Sequence, residues 1–193
     1  MSVFTGLTSN TKKNIQLDAG ALFKNYVIGT DTPSTASSKL IGATIGGSTL
    51  SVVPEVRQIA VDGVKGPTKG YEIFECYTGT LTTNVKEITP GAVALALAAA
   101  TTSTPTAPSS YSKIVPDAEL ADTDYLTNVT WIGKILGSSD PIIVVFKNAL
   151  NLNGFSMQAQ DKNEGQIPLT LTAHYDPSAL DEVPVEIYIP TIS

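Results

Sequence analysis

A chain of 193 residues that is 42% hydrophobic and 16% charged can bury one sizeable core, and it is too apolar for a disordered chain. Its formal charge is −6, Arg57 is the single arginine and Lys12-Lys13 is the densest basic pair, so the phosphate neutralisation that tight DNA binding demands is missing. Cys76 is the lone cysteine, which excludes an intrachain disulfide and a thiolate metal cluster.

From the N-terminus, Met1–Asn10 has no basic start followed by an apolar run, so a secretory signal is not expected and the chain is expected in a reducing cytoplasm. Ala19–Tyr26, following Asp18, reads as a short helical stretch. Ser38–Pro54 carries Gly42, Gly46 and Gly47 among few large apolar residues. It is expected to be an arm that cannot pack a core alone, within an arm-like region of about 38–66. The Val52–Val61 segment ends at turn chemistry, Asp62-Gly63 and Lys65-Gly66-Pro67. Tyr71, Ile73, Glu75 and Tyr77 alternate with Glu72, Phe74 and Cys76, the period of a half-polar strand.

Thr89 followed by Pro90 and the Ala/Leu-rich Gly91–Ala100 predicts one helix over about 89–101, with Thr89 as N-cap and Pro90 in the first turn. Val93, Leu95 and Leu97 should face a sheet. The run has about half the ~20 residues a membrane span needs. Thr101–Ser112 is rich in Ser, Thr and Pro and leads to Asp117, Glu119, Asp122 and Asp124, so residues 101–125 read as a surface loop. Thr127, Val129 and Trp131 begin a strand, and Asp140-Pro141 precedes Ile142–Phe146, an apolar run suited to burial on both faces. Asn153-Gly154 predicts a hairpin turn between Phe146–Leu152 and Phe155–Gln160. Ile167, Leu169, Leu171, Ala173 and Tyr175 form one face of a further strand; Val183, Val185, Ile187 and Ile189 repeat the pattern.

Chemistry-bearing residues are sparse. His174 is the single histidine, beside Asp176; with no nucleophile motif for it to serve, it reads as a residue of a polar strand face. Cys76 reads as a small, partly buried hydrophobe. The glycines of Gly42–Ser48 are spaced like a phosphate loop without its lysine. Asp117–Asp124 lacks the spacing of a calcium loop, and Asn128-Val129-Thr130 is a sequon in pattern alone. No catalytic, cofactor or metal residue is assigned.

Three stretches together resemble the tail tube (major tail) proteins of long-tailed bacteriophages of the siphophage type. They are Asn14–Phe23; Ile41–Ser48 with Pro54-Glu-Val-Arg57 and Val61–Gly66; and Ile167–Asp176 followed by Val183–Tyr188. They cover about half the chain in the family's order. The resemblance implies a mainly β fold: a single domain over 1–193, a two-sheet β-sandwich or barrel with one flanking helix and long loops or arms. It implies a non-enzymatic virion protein, assembled in the host bacterial cytoplasm, whose hexameric rings stack into the conduit for DNA ejection. Its partners would be itself, the tail tip or baseplate initiator, the tape measure and tail terminator proteins, and passing double-stranded DNA without specific binding. In that setting Gly42, Gly46, Gly47 and Ser48 belong to an inter-ring arm, and Glu72, Glu75, Glu87 and Glu186 are candidate lumen acids. The alternatives are the inner tube of a contractile tail or phage-tail-like bacteriocin, and a head-tail connector or capsid decoration protein.

Overall fold

The computed structural model describes residues 5–192; Met1–Phe4, the start of the segment read above as lacking a signal, and Ser193 lie outside the described residues. The chain is mainly β, with 42% of it in strands, antiparallel sheets and one α-helix. In chain order the elements are β1 (Ala21–Lys24), β2 (Thr44–Gln58), β3 (Glu72–Val85), α1 (Pro90–Ala96), β4 (Ala100–Ser103), β5 (Lys113–Pro116), β6 (Leu126–Gly133), β7 (Ile142–Asn151), β8 (Gln158–Gln160), β9 (Asn163–Thr172) and β10 (Val185–Tyr188).

The main sheet runs β1-β6-β7-β9-β3-β2, with β10 added to β7 and β8 to β9. β7 joins its two halves: Ile143–Phe146 pair with β10 while Leu150 and Asn151 pair with β9. Between those stretches Asn148 adopts φ 47°, a left-handed conformation that Asn tolerates, and there the strand passes from one half to the other. The two ends of the sheet meet again just ahead of β2, where Phe23 bridges Leu40 and the Ile41 N–H donates to Leu22 O at 2.9 Å.

Alternation predicts the core well where both halves of the sheet close over it. Ile167, Leu169, Leu171 and Ala173 of β9 and the following residue are buried, with Leu81 and Val85 of β3, Val129 and Trp131 of β6 and Val144 and Phe146 of β7. Val144, Val145 and Phe146 are buried in succession, as expected of a run covered on both sides. The last strand keeps its pairing but not its cover: Ile187 and Ile189 are exposed.

Thr89 caps α1 as expected, its hydroxyl accepting from the Ala92 N–H at 3.1 Å, yet the helix stops at Ala96, four residues before the end of the Ala/Leu run. The buried Asn151 side chain donates to the Ala96 carbonyl at 2.7 Å and accepts from the Thr170 N–H. That carbonyl would have served the Ala100 N–H in one more helical turn, and Ala100 instead opens β4 against Pro116. Ala92 and Ala96 are the buried residues, with Val93 and Leu95 packed alongside.

Four expectations are corrected. Ala19–Tyr26 is not helical: Gly20 turns at φ 74° and Ala21–Lys24 pair with Val129–Ile132 of β6, burying Leu22 and Phe23 on opposite sides. The glycine-rich segment is strand from Thr44 onward, because Gly46 and Gly47, at φ 79° and 80°, form a bulge that keeps Ile45 and Ser48 in the β3 ladder. Asn153-Gly154 does not close a β7–β8 hairpin, since β8 pairs with β9. The 101–125 excursion holds a two-stranded sheet, β4 with β5, carried by backbone pairing rather than an apolar face.

Candidate assembly surface

β2 and β3 are the longest strands, 15 and 14 residues, and only part of each covers the core. β3 pairs with β9 from Thr80 onward. Gly79 marks the boundary: a Cβ there would meet Val185 Cγ2 at 2.4 Å, so the crossing needs the one residue that has none. Beyond it the Tyr77 N–H donates to the Tyr175 hydroxyl at 2.9 Å, which holds the root of the ribbon. Every residue from Val53 to Glu75 except Thr68 is then exposed. With about 3.3 Å of rise per residue, the seven steps from Gly79 to Glu72 carry the hairpin roughly 20 Å past the body.

The ribbon exposes large apolar side chains between its seven charged residues. Val53, Val56 and Phe74 are 52%, 51% and 50% exposed, and Ile59, Val61, Val64, Tyr71 and Ile73 are exposed as well. Phe74 and Tyr77 stack at 4.7 Å between ring centroids. The sheet order ends on β2, so that strand's outer edge is unpaired over its projecting half. It carries only Glu55, Arg57 and one proline, Pro54, to discourage pairing. A long apolar edge of that kind is a template for another chain.

The residues singled out from the sequence fall in different places. Gly42 has φ 139° and lies against Val85 and Glu87, while Ser48 donates to the Thr83 hydroxyl at 3.2 Å; both belong to the packed base of the hairpin. Glu72 and Glu75 sit on its projecting half and Glu87 beyond the other end of β3. At strand spacing, Glu72 is about 43 Å from Val85, so these acids do not stand at one level. Arg57 pairs with Glu75 at 3.0 Å, and the Ala43 N–H donates to Glu87. His174 and Asp176 do not form a pair: His174 Nδ1 lies 3.0 Å from Asn148 O and the ring meets Tyr125 edge-on, whereas Asp176 accepts from the Ser178 N–H and hydroxyl. Cys76 lies on the hairpin, where loss of hydration first and the Glu55 carboxylate second hold its thiol above the ordinary value. That is the opposite of an activated thiolate.

Glu186 on β10 is ion-paired to Lys147 at 2.5 Å and accepts from the Tyr188 hydroxyl. The hydrogen bonds from Lys147 and Tyr188 hold its carboxyl below the usual range, while Glu186 raises Lys147. A lowered carboxyl contributes stability above its unfolded pKa and loses it as pH falls through the folded value; a raised lysine keeps its contribution until pH climbs past its own folded value. Lys147→Gln should therefore lower the urea midpoint at about pH 7 and converge on the wild-type midpoint as pH falls through the folded-state value of Glu186 and its charge is lost. A difference that persists at the acid end would assign the effect to packing of the lysine stem.

No group of His, Cys, Asp and Glu among the described residues is arranged to hold a metal ion, and no helix among them is long and apolar enough to cross a membrane. Compared with protein-family models and with curated proteins, the chain gives no match.

Proposed function

We propose that this chain is a structural, self-assembling subunit of the tail tube type, without catalytic activity. Its rings, six-membered in the family it resembles, would stack into a hollow virion tail that conducts DNA. The observation that carries this reading is the projecting β2–β3 hairpin, which exposes Val53, Val56, Ile59, Val61, Val64, Tyr71, Ile73 and Phe74 and is unpaired along one edge. A monomer keeps such a ribbon in water at a standing risk of aggregation, and a ring or tube gives it a partner. The resemblance at Ile41–Gly66 supports the same reading, since that stretch runs through β2 into the hairpin loop. The host bacterial cytoplasm would be where subunits assemble, with a tail-tip initiator, tape measure and terminator as companions.

Sizing at rising concentration combined with negative-stain microscopy is the test. Rings or hollow filaments of regular axial repeat are the expected result. A compact monomer at every concentration, with and without a tail-tip initiator complex, would overturn the reading.

A further inference from the structure

Beside the root of the hairpin the body carries an open cleft of about 500 Å³. One wall is the segment Tyr26–Ile28, held rigid by its own bonds: the Tyr26 N–H donates to Asn128 Oδ1, the Tyr26 hydroxyl to Asp31 O and the Val27 N–H to Asp31 Oδ2, with Lys39 on the same carboxylate at 2.6 Å. Val27, Ile28, Val145 and Pro184 make it apolar, and Asp176, Glu182 and Glu186 add carboxylates. Lys147, the one lysine lining it, is taken by Glu186. Asp176 and Glu182 form no ion pair among the described residues.

The loop joining β2 to β3 has the complementary make-up. Ile59, Val61 and Val64 are exposed on it, and its charges are Lys65 and Lys69 against Asp62. Neither lysine forms an ion pair among the described residues. The loop stands roughly 20 Å from the hairpin root, and His174 and Asp176, which line the cleft, flank the Tyr175 that fixes that root. The loop is thus held away from the cleft of its own chain.

We propose that this cleft receives the 59–71 loop of a second copy of the chain. Ile59, Val61 and Val64 would cover Val27, Ile28, Val145 and Pro184, while Lys65 and Lys69 meet Asp176 and Glu182. Loop and cleft are different surfaces, so the contact is heterologous and repeats from copy to copy, closing a ring or extending a filament. The preformed wall lowers the ordering cost of docking, and opposite charge at the rim speeds encounter and fixes register. This inference rests on the self-assembly reading and names the surface that receives the hairpin.

Charge exchange in the full chain tests it. At low salt, Lys69→Glu and, separately, Glu182→Lys should each slow assembly, followed by light scattering, about ten-fold. The chain carrying both changes should return to within about three-fold of wild type, with the differences shrinking as salt rises. Thermal melts keep folding defects apart from docking defects, and Glu182→Gln should fall between wild type and Glu182→Lys. Independently, a Val64→Cys chain mixed with an Ala179→Cys chain, both in a Cys76→Ser background, should give disulfide-linked dimers on oxidation that neither gives alone. Wild-type chains that assemble while the charge variants match them and no mixed dimer forms would overturn the docking and leave self-assembly standing. Wild-type chains that do not assemble, together with no mixed dimer from the two cysteine variants, would overturn both.

Discussion

Replacing residues 56–75 of the hairpin by an Asn-Gly turn, between the paired Glu55 and Cys76, leaves a folded subunit that does not assemble. The removed stretch is exposed apart from Thr68, so it contributes almost nothing to the core, and a two-residue turn of this type suits the twist of the strands it reconnects. The cluster of Leu81, Val85, Val129, Phe146, Ile167, Leu169 and Leu171 is untouched. The melting temperature should therefore stay within about 3 °C of wild type, since regions with few buried contacts add little to global stability. Assembly should fall below detection, because the change removes both the apolar ribbon and the unpaired half of β2. The outcome that sinks the assembly role of the hairpin is a truncated chain that forms the same rings or filaments as wild type at the same concentration. A truncated chain that is simply unfolded would show itself in the melt.

How far the sequence reveals this structure depends on whether a segment's surroundings are local. The β9 face, the two-sided burial of Ile142–Phe146 and the Thr89-Pro90 helix start were all legible, because alternation, run length and capping are properties of neighbouring residues. Ala21–Lys24 misleads because Ala, Leu and Lys favour a helix in isolation, and only the facing β6 edge makes the segment a strand. The early stop of α1 is equally invisible, since it depends on Asn151, 55 residues away. Gly46-Gly47 reads as flexibility, whereas a paired partner turns two glycines into a bulge. The projecting half of the β2–β3 hairpin was the least legible. Tyr71–Tyr77 has the same alternation as a half-buried strand, and nothing local records that no second layer covers Val53, Val56, Ile73 and Phe74. The glycine-rich stretch that reads as an arm is the packed base of the β2–β3 hairpin, and the stretch after it is the projecting half.

Gly133→Ala should be among the most destabilising single substitutions in the body, and the chain carries its own reporter for it. Trp131 is the only tryptophan and is buried, its indole N–H donating to Ala19 O at 2.9 Å. The ring lies between two glycines. A Cβ on Gly133 would stand 2.1 Å from Trp131 Cη2, and one on Gly20 would stand 2.3 Å from Nε1. Real carbon atoms do not approach so closely, so the indole or the β1–β6 pairing must move. Overpacking a core of this kind costs about 3 kcal/mol, which in a chain of this length is roughly 10 °C in melting temperature. The displaced ring should emit at longer wavelength as its hydrogen bond breaks and water reaches it. Gly63→Ala gives the comparison: its φ of 86° is also left-handed, but nothing lies within 4 Å of a Cβ there. It should cost about 1 kcal/mol, from backbone conformation alone, with emission unchanged. Equal losses and equal spectra in the two variants would mean that the glycine conformation, rather than the space Trp131 takes, is what position 133 requires. Because φ at Gly133 is not left-handed, the packing account expects the larger loss from the residue with the ordinary backbone, an order that conformational strain alone would reverse.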